Sequence, residues 1–429
     1  MMRPWGRLFS AVRLIAILLA ALPLCRPVFA AEYRGKLTDS ATGASIVGAT
    51  VTLQNQSVTS DAFGTFAIAG PAAVLRFRAP GYRRVEVTAV PNQPLDLALD
   101  PLTPKGLYLS EYGIGSQALR EPALEVIRRA GLNAIVVDLK GDRGIIPYAS
   151  SAPLAAIDGA LKVRTITDLS ALALSLHGRG LYTIARIVVF KDDLLAQVRE
   201  DWSVRTKGGA IWKDREGLSW IDPFRREAWD YSIDIAEEAA AAGFDEIQFD
   251  YLRFPDARGL VYSKPTTEAG RVGAITGFLR AAKQRLVKYN VFLAVDVFGY
   301  ICWNTDDTQI GQRLEDLAGV VDYVSPMLYP SGFQFGIPGV RNPVAKPYDI
   351  VYRSLQAAME RTAGTAVRYR PWLQAFRDYA FGGKVFGATE IKAQVRGADA
   401  AGANGWMLWN PRNLYSTDGL VTEESALHP

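Results

Sequence analysis

The chain of 429 residues is 49% hydrophobic and 21% charged, enough apolar material for a large core and more than one domain. Its formal charge of +4 sits in the first thirty residues, which hold Arg3, Arg7, Arg13 and Arg26 and no acid; the remaining basic and acidic side chains balance. Such a balance excludes an electrostatic footprint for nucleic acid or anionic lipid.

Residues 1–30 read as a signal peptide. Three arginines precede the apolar run LIAILLAALPL (14–24), and VFA (28–30) supplies small residues for cleavage before Ala31. The run is shorter than the ~20 residues that a spanning helix needs, which argues against a membrane anchor. The residues LPL before Cys25 lack the small neighbour that lipid attachment requires. The expectation is an exported protein, periplasmic or extracellular, with no stable membrane insertion after signal cleavage. Only Cys302 then remains, so no intramolecular disulfide is expected.

From Glu32 to Asp100, short alternating runs such as GATVTLQ, VLRFRAPGY and RRVEVTAV are bounded by Gly, Asp and Pro, the pattern of a small all-β sandwich. The residues GKLTDSATGASIVGATVTL, TSDAFGTFAI and APGY resemble the carboxypeptidase regulatory-like domain, which implies a seven-stranded accessory module over 32–100. Nothing in it looks catalytic.

Past the linker DPLTPKG, apolar strand-like runs alternate with helical stretches over 105–429. The strands are 106–111, 133–140, 182–190, 246–251, 291–299, 321–329, 370–376 and 405–410. Helix-period segments such as EPALEVIRRAG and YDIVYRSLQAAMERT separate them. Eight such pairs predict an α/β fold, a (β/α)8 TIM barrel. A doubly wound open sheet is the alternative, disfavoured because no glycine-rich turn follows the first strand.

The chain contains two histidines, His177 at the end of a predicted helix and His428 next to last. A Ser-His-Asp triad, a Cys-His dyad and His-rich zinc sites therefore fall away, and acid/base chemistry is left to carboxylates. No metal and no cofactor are expected. In FDEIQFDYLRFP, strand alternation puts Glu246, Gln248 and Asp250 on one face. If that face lines a barrel, Asp250 sits at the carboxyl end of strand four, where barrel enzymes carry their chemistry. Asp296 ends strand five in the same way. Adjacent strands lie ~4.8 Å apart, so both can reach one bond, as the paired carboxylates of glycoside hydrolysis do. The alternative for Asp250 is a structural partner to Arg186 or Arg253.

Other polar residues end other strands: Glu111, Asp138 and Lys140, Arg186, Tyr329, Gln374, Trp409 and Asn410. Asp138 and Lys140 share parity and could neutralise each other at the barrel rim. Trp202, Trp212 and Trp220 lie in the loop-rich segment 201–223; exposed, they would stack on sugar rings, and otherwise they cap the barrel as a satellite core.

The run from DWSVRTKGG to FDEIQFDYLRFP, with AVDVFGY, VDYVSPMLYPSGF and NPVAKPYDIV, resembles a bacterial glycoside-hydrolase-like barrel family over about 105–415. The resemblance implies a TIM barrel and a polysaccharide-directed role, and maps the family's strand-four and strand-five aspartates onto Asp250 and Asp296. One departure is Gly332, where a histidine often follows the serine of YPS. The expected function is hydrolysis of a bacterial polysaccharide or oligosaccharide. Asp250 would be nucleophile or base and Asp296 proton donor. Glu111, Asp138, Lys140, Arg186, Trp220, Arg253, Tyr329, Gln374 and Trp409 would contact substrate. A non-catalytic carbohydrate-binding barrel is the alternative; a carboxylate-bound metal hydrolase is weaker for want of histidines.

Overall fold

The computed structural model describes residues 31–420. The expected signal peptide, residues 1–30 with Cys25, and His428 lie outside the described residues.

The N-terminal part folds as two facing antiparallel-rich sheets. Strands β1 (Ala31–Asp39), β2 (Thr50–Leu53), β3 (Gln56–Thr59), β4 (Thr65–Gly70), β5 (Val74–Arg78), β6 (Val85–Thr88) and β7 (Leu97–Leu99) split into orders β4-β1-β7 and β3-β2-β5-β6. Strand β4, TFAIAG, alternates strictly between exposed and buried residues, the mark of a strand with one wet face. Its buried members Phe66 and Ile68 meet Leu37, Val51, Leu75 and Phe77 in a core separate from that of the rest of the chain.

Eight parallel strands follow: β8 (Lys105–Leu109), β9 (Ala134–Lys140), β10 (Tyr182–Val188), β11 (Glu246–Asp250), β12 (Phe292–Phe298), β13 (Tyr323–Met327), β14 (Trp372–Gln374) and β15 (Trp406–Trp409). Each pairs with the next, and β15 returns to β8, closing a TIM barrel. The seventh position is interrupted. Arg368–Tyr369 pairs with β13, then Pro371, which has no N–H to give, breaks the ladder before β14.

Alternation sorts the side chains as expected. Ile247 and Phe249 pack outward under helices, with Phe249 edge-on to Phe278 of the helix Glu268–Leu286. Gln248 points inward and donates to Ser325 Oγ at 3.0 Å and toward the Met407 sulfur. The lower lumen is filled by the fully buried pair Glu246 and Arg370, with the Tyr182 hydroxyl on the other carboxylate oxygen. Parity fails once. A register shift between β9 and β10 pairs Arg186 with Asp138 but Ile187 with Lys140, leaving Leu139 over as a bulge and turning Lys140 outward.

The sandwich seats on the amino-terminal end of the barrel strands. The Gly81 N–H donates to the Tyr323 hydroxyl at 2.8 Å, Asn290 Nδ2 donates to the Phe77 carbonyl, and Arg84 bonds both Asp245 and the Gly243 carbonyl. His177 joins this cluster through Asp245, at the end of the barrel remote from Asp250. Among the described residues no helix is long and apolar enough to cross a membrane.

Candidate active site

At the carboxyl ends of the strands, Asp250 and Asp296 line one cavity of about 440 Å³ with Arg253, Tyr329 and Trp409. Beneath it lies Arg186 on β10. Its Nε and Nη2 donate to Asp250 Oδ2 at 3.0 and 2.5 Å, and its Nη1 donates to Asp138 Oδ1 at 2.6 Å. The same Nε stands 3.8 Å from Asp296 Oδ2. Sharing one nitrogen confines the Asp250 and Asp296 oxygens to within about 7 Å of each other, inside the reach of a paired-carboxylate mechanism. Aromatic faces hold the guanidinium: Trp409 lies 4.8 Å from it and stacks on Tyr108 at 3.9 Å, while the Tyr108 hydroxyl donates to Asp138.

Three carboxyl groups, Asp138, Asp250 and Asp296, thus surround a single buried cation, and Glu111 lies close enough to feel its charge. Burial, and then the charge of Asp250, push the Asp296 carboxyl well above the usual carboxylate range. Its Oδ1 accepts the Trp372 indole N–H at 2.7 Å, while Oδ2 has no hydrogen-bond partner. The shift favours the protonated form, and the unpartnered oxygen is where that proton would sit. Burial and then Asp138 raise Glu111 to about 8, and burial raises Asp138 against the opposing pull of Arg186. Asp250 has the Arg186 guanidinium as counter-charge and accepts the Tyr251 backbone N–H on Oδ1 at 2.5 Å. Tyr251 is left-handed, with φ of 48°, a conformation that side chains other than glycine adopt at a cost and that clusters at functional sites. It turns the chain sharply as β11 ends and leaves its ring under Lys191 Nζ at 4.9 Å.

The structure brings Asp250, Asp296, Arg253, Tyr329 and Trp409 onto the cavity, with Arg186 and Asp138 directly below. Glu111 belongs beside Asp138, yet it opens the helix Glu111–Gly115 instead of ending a strand; the Ser110 hydroxyl caps that helix. Three expectations are corrected. Asp138 and Lys140 do not pair, because the bulge sends Lys140 to the helix side, where its Nζ meets Asp192 Oδ2 at 2.8 Å and the Val188 carbonyl. Trp220 is not an exposed platform: it is 2% exposed, donates to Asp214 and packs against Tyr251, so the satellite-core alternative holds for it and for buried Trp202. Gln374 is buried away from the cavity, bonded to Ser331 and to the Phe376 carbonyl.

Sequence reasoning missed Trp372 and Tyr108, although both lie on inward positions of predicted strands. It also missed Glu216 and the aromatic residues Phe298, Tyr300, Phe376 and Tyr379 of the cavity wall. Glu216, Tyr300 and Tyr379 lie in loops, which carry no periodic signal, while Phe298 closes β12. Among the described residues no group of three or more His, Cys, Asp or Glu is arranged to hold a metal ion.

Residues 106–415, which carry every one of these side chains, match the family described as "putative glycosyl hydrolase domain". The chain belongs to that family. Residues 33–100 match the carboxypeptidase regulatory-like domain. No curated protein matches the chain. A hypothetical protein from Ruminiclostridium thermocellum is 34% identical over 45% of this chain and 97% of its own, with a TM-score of 0.40. The PgaB (BpsB) glycoside hydrolase domain from Bordetella bronchiseptica is 15% identical over 75% of this chain and all of its own, with a TM-score of 0.54. An alpha-L-fucosidase from Paenibacillus thiaminolyticus is 16% identical over 76% and 49%, with a TM-score of 0.52. At such identities the last two share the fold with this family member.

Proposed function

We propose that the protein is an exported glycoside hydrolase that cleaves a bacterial polysaccharide, with Asp296 as proton donor and Asp250 as nucleophile or base. The observation that carries this reading is the unequal pair: Asp250 with a guanidinium as counter-charge, and Asp296 within about 7 Å of it, buried, pushed up and with one free oxygen. Two carboxyls in unlike surroundings suit the cleavage of a glycosidic bond. Asp296 gives its proton to the leaving oxygen while Asp250 attacks the sugar carbon or draws a proton from water. Tyr329 and Trp409 line the same cavity, where they can meet the sugar, and Arg186 fixes the Asp250 carboxylate. The bound of about 7 Å on this oxygen pair admits the short spacing of a covalent, retaining route.

Release of reducing ends from a polysaccharide panel by the protein from Ala31 onward, beside Asp250→Asn and Asp296→Asn, tests the reading. Hydrolysis by the parent and loss of a hundredfold or more in each variant is expected. A variant as fast as the parent ends the assigned role.

A second reading, a barrel that holds a polysaccharide without cutting it, is favoured by one observation. Asp250 already accepts three hydrogen bonds, two from Arg186 and one from Tyr251, which damps a nucleophile. It predicts binding that survives both substitutions and no product.

A further inference from the structure

The catalytic cavity opens into a larger cleft of about 1140 Å³, sharing Tyr251, Arg253, Tyr300 and Gly332 with it. A third hollow of about 270 Å³ continues past Asp256 and Thr308. Two features of this track are unlike an ordinary solvated surface. Large aromatic rings stand open along it: Phe335 is 92% exposed and Tyr379 62%. Phe335 leans on Tyr300, whose hydroxyl accepts the Phe335 N–H at 2.9 Å.

The second feature is charge. Carboxylates of the track are mostly answered within the protein: Asp250 by Arg186, and Asp214 and Glu216 by Lys191. Arg271 is answered by Asp307. Among the described residues, Arg253, Lys213, Arg215 and Arg258 have no carboxylate within ion-pair distance, against Asp256 alone with no cation. Arg253 is also preorganised. It lies 4.8 Å over Trp220 and 5.2 Å over Tyr251, half-buried, and its one hydrogen bond is from Nη1 to the Phe254 carbonyl. The rest of its planar fork is open to a bidentate acceptor. Farther out, Thr308 and Gln309 are both left-handed, at φ 53° and 58°, and are braced by Asp306 and by Asp307, itself clamped by Arg271. Backbone strain held in place by so many bonds marks a segment with a fixed job at the cleft wall.

Resting on the hydrolase reading above, we propose that the cleft takes an anionic polysaccharide whose sugars carry carboxylates, a uronic-acid polymer. Sugar faces lie on Tyr300, Phe335 and Tyr379. A uronate near the cleavage point is gripped by Arg253, and later ones meet Lys213, Arg215 and Arg258.

Affinity electrophoresis of the protein tests this, in gels holding polygalacturonate, alginate or hyaluronate. Comparison gels hold their methyl-esterified forms or a cationic amino-sugar polymer. Expected are retardation by at least one uronate polymer, weakening roughly tenfold between about 50 and about 300 mM salt, and a loss of about tenfold or more in Arg253→Gln. Arg258→Gln, on the surface, is expected to lower binding less, and controls for misfolding. Equal or stronger retardation by the esterified or cationic polymers overturns the acidic preference while leaving hydrolysis standing. Absence of both retardation and released reducing ends with every polymer overturns the hydrolase reading as well.

Discussion

Arg186 Nη2 lies 2.5 Å from Asp250 Oδ2 while Nη1 of the same side chain lies 2.6 Å from Asp138, so one buried guanidinium neutralises two strand ends at once. Removing a cation from between buried carboxylates leaves both uncompensated. Arg186→Gln is therefore expected to cost about 3–5 kcal/mol in a urea titration, together with nearly all activity. Arg186→Lys is expected to recover little of either, because an ammonium is a point charge that cannot fork between two acids. Full stability in Arg186→Gln would mean that Asp138 and Asp250 do not depend on the guanidinium for compensation.

Glu111 offers a test by pH. Its carboxyl is raised in the fold to about 8, so the folded state holds a proton that the unfolded chain releases at ordinary carboxylate values. The contribution to stability is greatest at acid pH and is lost as pH climbs from about 4.5 toward about 8. Glu111→Gln cannot release that proton, so its stability is expected to fall less across the same window, by up to a few kcal/mol. Parallel curves for parent and variant, in denaturation at pH 5 and pH 8, would show Glu111 ionised throughout.

Trp220 distinguishes packing from recognition. Buried against Tyr251 and bonded through its indole to Asp214, it is expected to cost about 3–5 kcal/mol on replacement by alanine. Trp220→Phe keeps most of the volume and loses the Asp214 bond, with a cost of about 1–3 kcal/mol. Thermal unfolding of both measures it. A large loss of polysaccharide affinity with unchanged stability would return Trp220 to the role of sugar platform.

Gly332 has room to spare. A Cβ there meets nothing nearer than the Tyr379 hydroxyl at 3.6 Å, and its backbone is not left-handed. Gly332→Ala and Gly332→His are expected to change stability by no more than about 0.5 kcal/mol. The imidazole would enter the cavity beside Tyr379, so any change is expected in the pH profile of hydrolysis. A strong destabilisation of Gly332→Ala would reveal a clash that the 3.6 Å Cβ clearance denies.

Product stereochemistry is a further measurement on the carboxylate pair. With Asp250 and Asp296 oxygens confined within about 7 Å, proton NMR of the first product is expected to find the starting anomer. The opposite anomer would place a water between them.

The alternation of two makes the barrel and the inward placement of Asp250 and Asp296 legible in the sequence, since inward parity is written in EIQFD and FLAVD, although β12 runs two residues past Asp296. It misled at Lys140, because one extra residue at Leu139 reverses parity and no residue type there announces a bulge. The tryptophan loop misled for another reason. Its exposure depends on the bridges Lys191–Trp220 and Ser203–Ile221, which fold the segment back on itself, and long-range pairing leaves no local trace. The left-handed Tyr251 was invisible in the same way: tyrosine does not favour that turn, so its strain comes from the surrounding packing.

The sandwich seated under the barrel has a consequence for proton traffic. With Gly81 and Arg84 sealing the amino-terminal end and the buried pair Glu246 and Arg370 filling the lower lumen, the barrel is a vessel with one mouth. Asp296 lies on the wall of the cavity that it shares with Asp250 and Trp409. On the proposed hydrolase reading, a polymer lying across the mouth would shut in the proton it is about to receive, and the acid would be recharged only after the chain had moved on.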